Sequence, residues 1–350
     1  MSHRPITRRT ILKGGAALAG TLALGNWAES AASESAERPT LVVFWLNGGP
    51  AGLFNSADSF LRTGAFGVTE QNIRNLGNDL YVDATSFGAL PLVARAHMAS
   101  INFHHGVIRP HDLARAAVLQ TASRSQLLRM AAVMPGGPFR CAVVNDLGLP
   151  VGVSASPPAE DGVKLDRILA IDRLRSSLRT RQFDEVCAVY QMPREQTSIR
   201  DLRSTLVGLE VLVRAGASVI FAQPAYTGRP DRQFDTHRDD TGTAARAVMS
   251  QITPFLALFL KRVLTLRGRN VVVLLVGELS RTVPESDHEP GGTATVIGKY
   301  VKTGTAGPQQ ADGSPASNAP PPEGLWAYVS AALHLGGTPF GRNPNPELIL

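Results

Sequence analysis

Short, wholly apolar runs separated by glycine-rich or amphipathic stretches dominate the chain, and they predict a parallel α/β sheet. Residues 41–46 are continuously apolar and stop at Asn47-Gly48-Gly49-Pro50. A run of that length entering a glycine turn reads as a strand buried on both faces. The segments 141–144, 218–222 and 271–276 read the same way, as does the stretch around Ile101-Asn102-Phe103. Between them, apolar positions recur every three or four residues, as on amphipathic helices. Helices are predicted over 112–130, 165–178, 199–215, 243–266 and 325–335. Gly216 stops the third, and Pro254 kinks the fourth. Strands alternating with helices in this order make a mostly parallel central sheet flanked by crossover helices. Residues 303–324 are rich in Gly, Pro, Ala, Ser and Gln, which predicts a flexible surface loop.

The amino terminus changes the picture from fold to destination. Thr7-Arg8-Arg9-Thr10-Ile11-Leu12-Lys13 is a twin-arginine pattern, followed by a weakly apolar stretch over 14–24. That stretch is shorter than the ~20 residues a membrane-spanning helix needs. With Ser30, Ala31 and Ala32 behind it, it reads as an export signal cleaved near Ala32. The alternative is a chance arginine pair in a cytoplasmic protein. The expected organisation is a signal over 1–32 and one α/β domain over 33–350. The expected location is the periplasm or the medium, with the twin-arginine export machinery as a partner. No stable membrane anchor is expected, because the apolar stretch 255–260 is interrupted by Pro254, Lys261 and Arg262.

Charge and cysteine content exclude more than they assign. The net charge is +6, but the signal holds Arg4, Arg8, Arg9 and Lys13 against Glu29, which leaves +3 on the remainder. With no clustered Lys/Arg stripe, nucleic acid is not an expected partner. Cys141 and Cys187 make neither a disulfide framework nor a metal-ligand spacing, although an oxidising compartment would permit one bond between them.

The chemistry lies in the carboxyl-terminal half. Phe234-Asp235-Thr236-His237, Gly277-Glu278-Leu279-Ser280-Arg281-Thr282 and Asp287-His288 gather carboxylates and imidazoles, the ligands of zinc, manganese or magnesium in hydrolases. Each follows a predicted strand, and ligands of open α/β sheets bind at the carboxyl ends of strands. Two cations held this way can clamp an ester oxyanion and lower the pKa of a bound water. Arg281 could grip a phosphate or sulfate bidentately. Glu278 has three open readings: metal ligand, acceptor for a ligating histidine, or structural ion-pair partner of Arg281. His111, ahead of a predicted helix, is an additional candidate ligand or else a surface helix cap. His104 and His105 read as packing or solvent-facing.

These motifs, with the twin-arginine leader, the strand and Gly-Gly turn, His111, and Gly291-Gly292-Thr293-Ala294 after Asp-His, resemble the exported domain of unknown function 1501 family. That family is related to the alkaline phosphatase and sulfatase superfamily. The resemblance covers nearly all of residues 33–350. It implies an alkaline-phosphatase-like fold, with Asp235, His237, Asp287 and His288 at metal positions. It also implies small anionic phosphate or sulfate esters as the substrate class. One departure stands out. Where the pattern wants an acidic ligand and a hydroxyl nucleophile after the first strand, this chain has Ala51 and Phe54, with Asn55, Ser56 and Asp58 as substitutes if the loop shifts. Two functions therefore remain open: a metal-dependent ester hydrolase acting through Arg281 and Glu278, or a non-catalytic binding or assembly protein that keeps a residual metal or anion site.

Overall fold

The computed structural model describes residues 37–50, 52–61, 63–122, 124–145, 162–193, 195–223, 234–281, 288–310 and 312–350. The expected export signal, Ala51 and Asp287 lie outside the described residues. Eight strands form the main sheet: β1 (Arg38–Trp45), β2 (Met98–His104), β3 (Cys141–Val144), β4 (Leu165–Ile168), β5 (Val219–Ala222), β6 (Arg269–Val276), β7 (Gly291–Gly298) and β8 (Gly304–Ala306). Their order across the sheet is β8-β2-β7-β6-β1-β5-β3-β4. β1 is parallel to β5, β5 to β3 and β3 to β4, while β8 is parallel to β2. β7 runs antiparallel to both β6 and β2. The α/β class with a mostly parallel sheet is thus the one observed.

The apolar runs are continuous because both faces of the sheet are covered. On β1, Val42 and Phe44 pack into one core, and Leu41, Val43 and Trp45 into the other. The first core is closed by α3 (Thr180–Val189), α4 (Leu202–Ala215) and α5 (Thr243–Val263). The second is closed by α1 (His111–Leu119), α2 (Gln126–Val133) and α6 (Pro322–Ala332). α5 is long and apolar enough, by length and composition alone, to cross a membrane. Its buried positions Val248, Met249, Ile252, Leu256, Phe259, Leu260 and Val263 nevertheless recur at helical spacing and sit in the first core. Cys141 faces the second core and Cys187 the first, so the sheet separates them, and both are free thiols. Burial pushes the Cys141 thiol up to about 12.

Several predicted elements change form. The helix expected over 112–130 is two helices, α1 and α2, separated by the two-residue strands Gln120–Thr121 and Arg124–Ser125. Ser125 Oγ accepts from the Leu128 N–H and starts the second helix. The helix expected over 165–178 is replaced by β4 and a single turn, Asp172–Arg175. Pairing of β4 with β3 at the sheet edge overrides the helical spacing of Leu165 and Ile168. α4 behaves as expected: Asp201 and Ser204 form a capping box, and Gly216 closes it in the left-handed region at φ 91°. Residues 303–324 do not run as a surface loop. They contain β8, the edge strand of the main sheet beside β2, and buried Thr303, Ser314 and Ala319, because backbone pairing with β2 needs no large side chains.

A buried ion network ties α4 to its neighbours. Glu210, fully buried, accepts from Tyr190 Oη at 2.7 Å, Arg214 Nε at 2.8 Å and Arg262 Nε at 2.8 Å. Tyr190→Phe removes one of three donors but leaves both arginines. The expected loss is about 1–2 kcal/mol of unfolding free energy, read by urea denaturation.

Candidate metal centre

The strand order puts the motifs together. The chain leaves β5 on one side of β1 and returns as β6 on the other, so the carboxyl ends of three strands face one crevice. Leu46 N–H donates to Val276 O at 2.8 Å, which aligns the ends of β1 and β6. Antiparallel β7 must begin where the parallel strands finish, and Gly291 pairs with His104 at the end of β2. That reversal delivers His288, just ahead of β7, to the same edge. A small antiparallel ribbon holds it there, with Arg281 opposite His288 and Ser280 opposite Glu289.

The turn after β1 is the wedge that fits these pieces. Gly48 and Gly49 have φ of 94° and 78°, a region that favours glycine. A Cβ on Gly48 would overlap the Asp235 backbone, and one on Gly49 would overlap the Leu279 carbonyl. Asn47 O accepts from Phe234 N at 2.9 Å, and Arg115 of α1 donates to Asn47 Oδ1 at 3.1 Å. Arg115 lies four residues after His111 and so on the same helix face. Sequence reasoning passed over it, although that spacing was available.

Asp235 Oδ1 is the hub. It accepts from Arg281 at 2.7 Å, lies 2.9 Å from His237 Nε2 and 3.2 Å from His288 Nε2, and stands 3.8 Å from His111 Nε2. The His288 ring centroid is 4.4 Å from that of His111 and 4.7 Å from that of His237. Burial would push the Asp235 carboxyl up. Hydrogen bonds from His288 and Arg281, with the Arg281 charge and His237, outweigh burial and hold it well below the usual carboxylate range.

Glu278 organises the other side of His111. Its Oε1 accepts from Gly48 N at 2.9 Å and lies 2.9 Å from His111 Nδ1. Against an ionised Glu278, which can only accept, Nδ1 must carry the proton, so a neutral His111 turns the lone pair of Nε2 towards Asp235. Two acceptors facing each other at 3.8 Å call for a proton or a cation between them. Glu278 is 0% exposed, and its Oε2 has no hydrogen-bond partner. Of the three readings open in the sequence, the geometry is that of an acceptor orienting a histidine; Arg281 is the partner of Asp235. His105 contributes as well. It donates from Nε2 to the Glu278 carbonyl at 2.7 Å, and burial lowers its pKa.

The donor set fits a divalent cation. His111, Asp235 and His288 offer ligand atoms all within 4.8 Å of one another, and His237 stands against the same carboxylate oxygen. Imidazoles with one carboxylate are the ligand types of zinc sites, and Glu278–His111 supplies the carboxylate behind a ligating imidazole. Arg281, expected to face a substrate anion, has a side chain with 0% exposure. Phe54 is buried against Phe87 and Phe234. Asn55 donates to Thr293 O and Thr295 Oγ1, Ser56 hydrogen-bonds Ser100, and Asp58 is exposed. None of these bonds joins the first loop's polar side chains to the Asp235 cluster.

No family model matches the sequence, and no curated protein matches it. Among solved structures, the chain is similar to Ps i-CgsB in complex with k-i-k-neocarrahexaose, at 10% identity over 87% of this chain and 75% of that one, with a TM-score of 0.40. It is also similar to the phosphonate monoester hydrolase SpPMH from Silicibacter pomeroyi, at 12% identity over 90% of this chain and 76% of that one, with a TM-score of 0.38. The chemistry of the centre therefore rests on its own residues.

Proposed function

We propose that the protein is an exported hydrolase of small anionic phosphate or sulfate esters, dependent on a divalent cation, zinc or manganese/magnesium. It belongs, on this reading, with the domain of unknown function 1501 family that its motifs resemble, and it works in the periplasm or the medium. The observation that carries the proposal is the convergence of three imidazole Nε2 atoms, from His111, His237 and His288, on the single oxygen Asp235 Oδ1. These residues would hold the cation. Asp287, outside the described residues and next to His288 along the chain, is proposed as a further ligand. When bound, the cation would polarise an ester oxygen and acidify a water. Glu278 keeps His111 in the tautomer that presents Nε2, and Arg281 holds Asp235 in place. With Asn55 and Ser56 hydrogen-bonded away from the cluster, water is the nucleophile proposed.

The same first-loop geometry favours one other reading, a non-catalytic binding or assembly protein with a residual metal site. Phe54 fills with aromatic core the place where a nucleophile was sought. Elemental analysis of the exported protein and a panel of phosphate and sulfate esters separate the two. Near-stoichiometric metal and a turnover that His288→Ala abolishes are expected. Bound metal with no turnover across the panel would select the non-catalytic reading. Protein free of metal and still turning over esters would sink the metal centre altogether.

A further inference from the structure

Arg281 fills an oxygen-lined place on one side of Asp235. Its guanidinium donates to Asp235 Oδ1 at 2.7 Å, to Gly49 O at 3.3 Å and to Gly48 O. One carboxylate oxygen and two backbone carbonyls form the all-oxygen donor set that hard cations use. The positive φ values of Gly48 and Gly49 shape the turn that offers those two carbonyls. A guanidinium is always charged, and burying it needs such matched oxygens. On the other side of Asp235 lie the imidazoles, donors that suit zinc better than magnesium. Asp235 therefore divides two compartments, one rich in oxygen and already filled by a fixed positive charge, the other rich in nitrogen.

We infer that the centre takes a single divalent cation of the nitrogen-preferring, zinc-like class, and that Arg281 is a built-in substitute for the second cation of a two-metal clamp. This rests on the proposed metal centre and sharpens it. Two-metal sites hold their ions ≈ 3.5–4 Å apart and share ligands between them; here the shared carboxylate oxygen is bonded to Arg281 instead. Arg281 is then a positioning residue that sets the place and charge of Asp235 without touching substrate.

The test is cation stoichiometry. Chelator-treated full-length protein is titrated with zinc and, separately, with manganese, by calorimetry and native mass spectrometry. One zinc per chain is expected. Two zincs or two manganese ions on the unaltered protein would overturn this inference and leave the metal centre standing. No bound cation of either kind would overturn the metal centre itself, and the inference with it. Arg281→Ala empties the oxygen compartment and is expected to gain a manganese equivalent that the unaltered chain lacks. Arg281→Lys keeps a charge but loses the planar fork. It is expected to retain a stoichiometry of one zinc with an affinity about 10–100-fold weaker, the usual cost of disturbing a ligand's support. Zinc affinity unchanged in Arg281→Lys would count against a positioning role.

Discussion

Asp235→Ala is expected to destabilise the fold by about 3–5 kcal/mol and to abolish cation binding. The stability term comes from Arg281, not from the lost carboxylate as such. Removing one member of a buried ion pair takes from the other the carboxylate that faced its charge, and breaking such a pair costs roughly that much. The side chain of Arg281 is 0% exposed, and its remaining bonds go to the Gly48 and Gly49 carbonyls. His237 and His288 lose the same acceptor at once. Urea denaturation without added metal isolates this effect from any contribution of bound cation, which would stabilise by mass action. A double-mutant cycle with Arg281→Ala gives the sharper readout. The two residues are in direct contact, so the double variant should be more stable than the sum of the single losses by about 1–3 kcal/mol. Additive losses would mean that the pair is not coupled.

Gly49→Ala should be nearly as damaging, although it removes no chemistry. Its φ of 78° alone costs an alanine about 1–2 kcal/mol. The added methyl also meets the Leu279 carbonyl, and relieving that overlap adds an overpacking cost of about 1–3 kcal/mol. Leu279 lies between Glu278 and Ser280 in the loop that ends at Arg281, so any shift moves both residues off their partners. A loss of stability of about 2–5 kcal/mol, with weakened zinc binding, is expected by denaturation and calorimetry. Gly64→Ala is the control. Gly64 has a φ of 65° but open space around its Cβ direction, so only the conformational cost should appear and zinc binding should be unchanged. Equal losses at both positions would remove the close-packing argument.

How much of this was legible in the sequence can be read residue by residue. The strands over 141–144 and 271–276 were legible because a doubly covered strand has no polar face to interrupt it. The end of α4 was legible because Gly216 is a local signal with a local cause. The strand β4 was not, because Leu165 and Ile168, spaced for a helix, were claimed by a sheet edge far away in the chain. The hairpin that interrupts residues 112–130 was hidden for a similar reason. At the centre, Asp235, His237, Glu278, Arg281, Asp287 and His288 were all singled out from their motifs and strand-end placement, and the described ones, all but Asp287, do come together. Their partners were less legible. His111 lies 124 residues before Asp235 and reaches it only through the packing of α1 on the sheet. His105 carries no local mark of its backbone contact, and Arg115 only its four-residue spacing from His111.

The sequence alone determined the α/β class, the glycine turn after the first strand and the pool of carboxylates and imidazoles. Each of these depends on periodicity, on φ preference or on side-chain chemistry, and such properties are written within a few residues. Only the tertiary structure decided how that pool is divided. It assigned Arg281 to Asp235 rather than to a substrate, His111 to Glu278 rather than to the surface, and Asn55 and Ser56 to bonds elsewhere. Those choices depend on which strand ends lie side by side. The antiparallel return of β7 and the crossover from β5 to β6 around β1 set that neighbourhood, and no segment of the chain carries it alone.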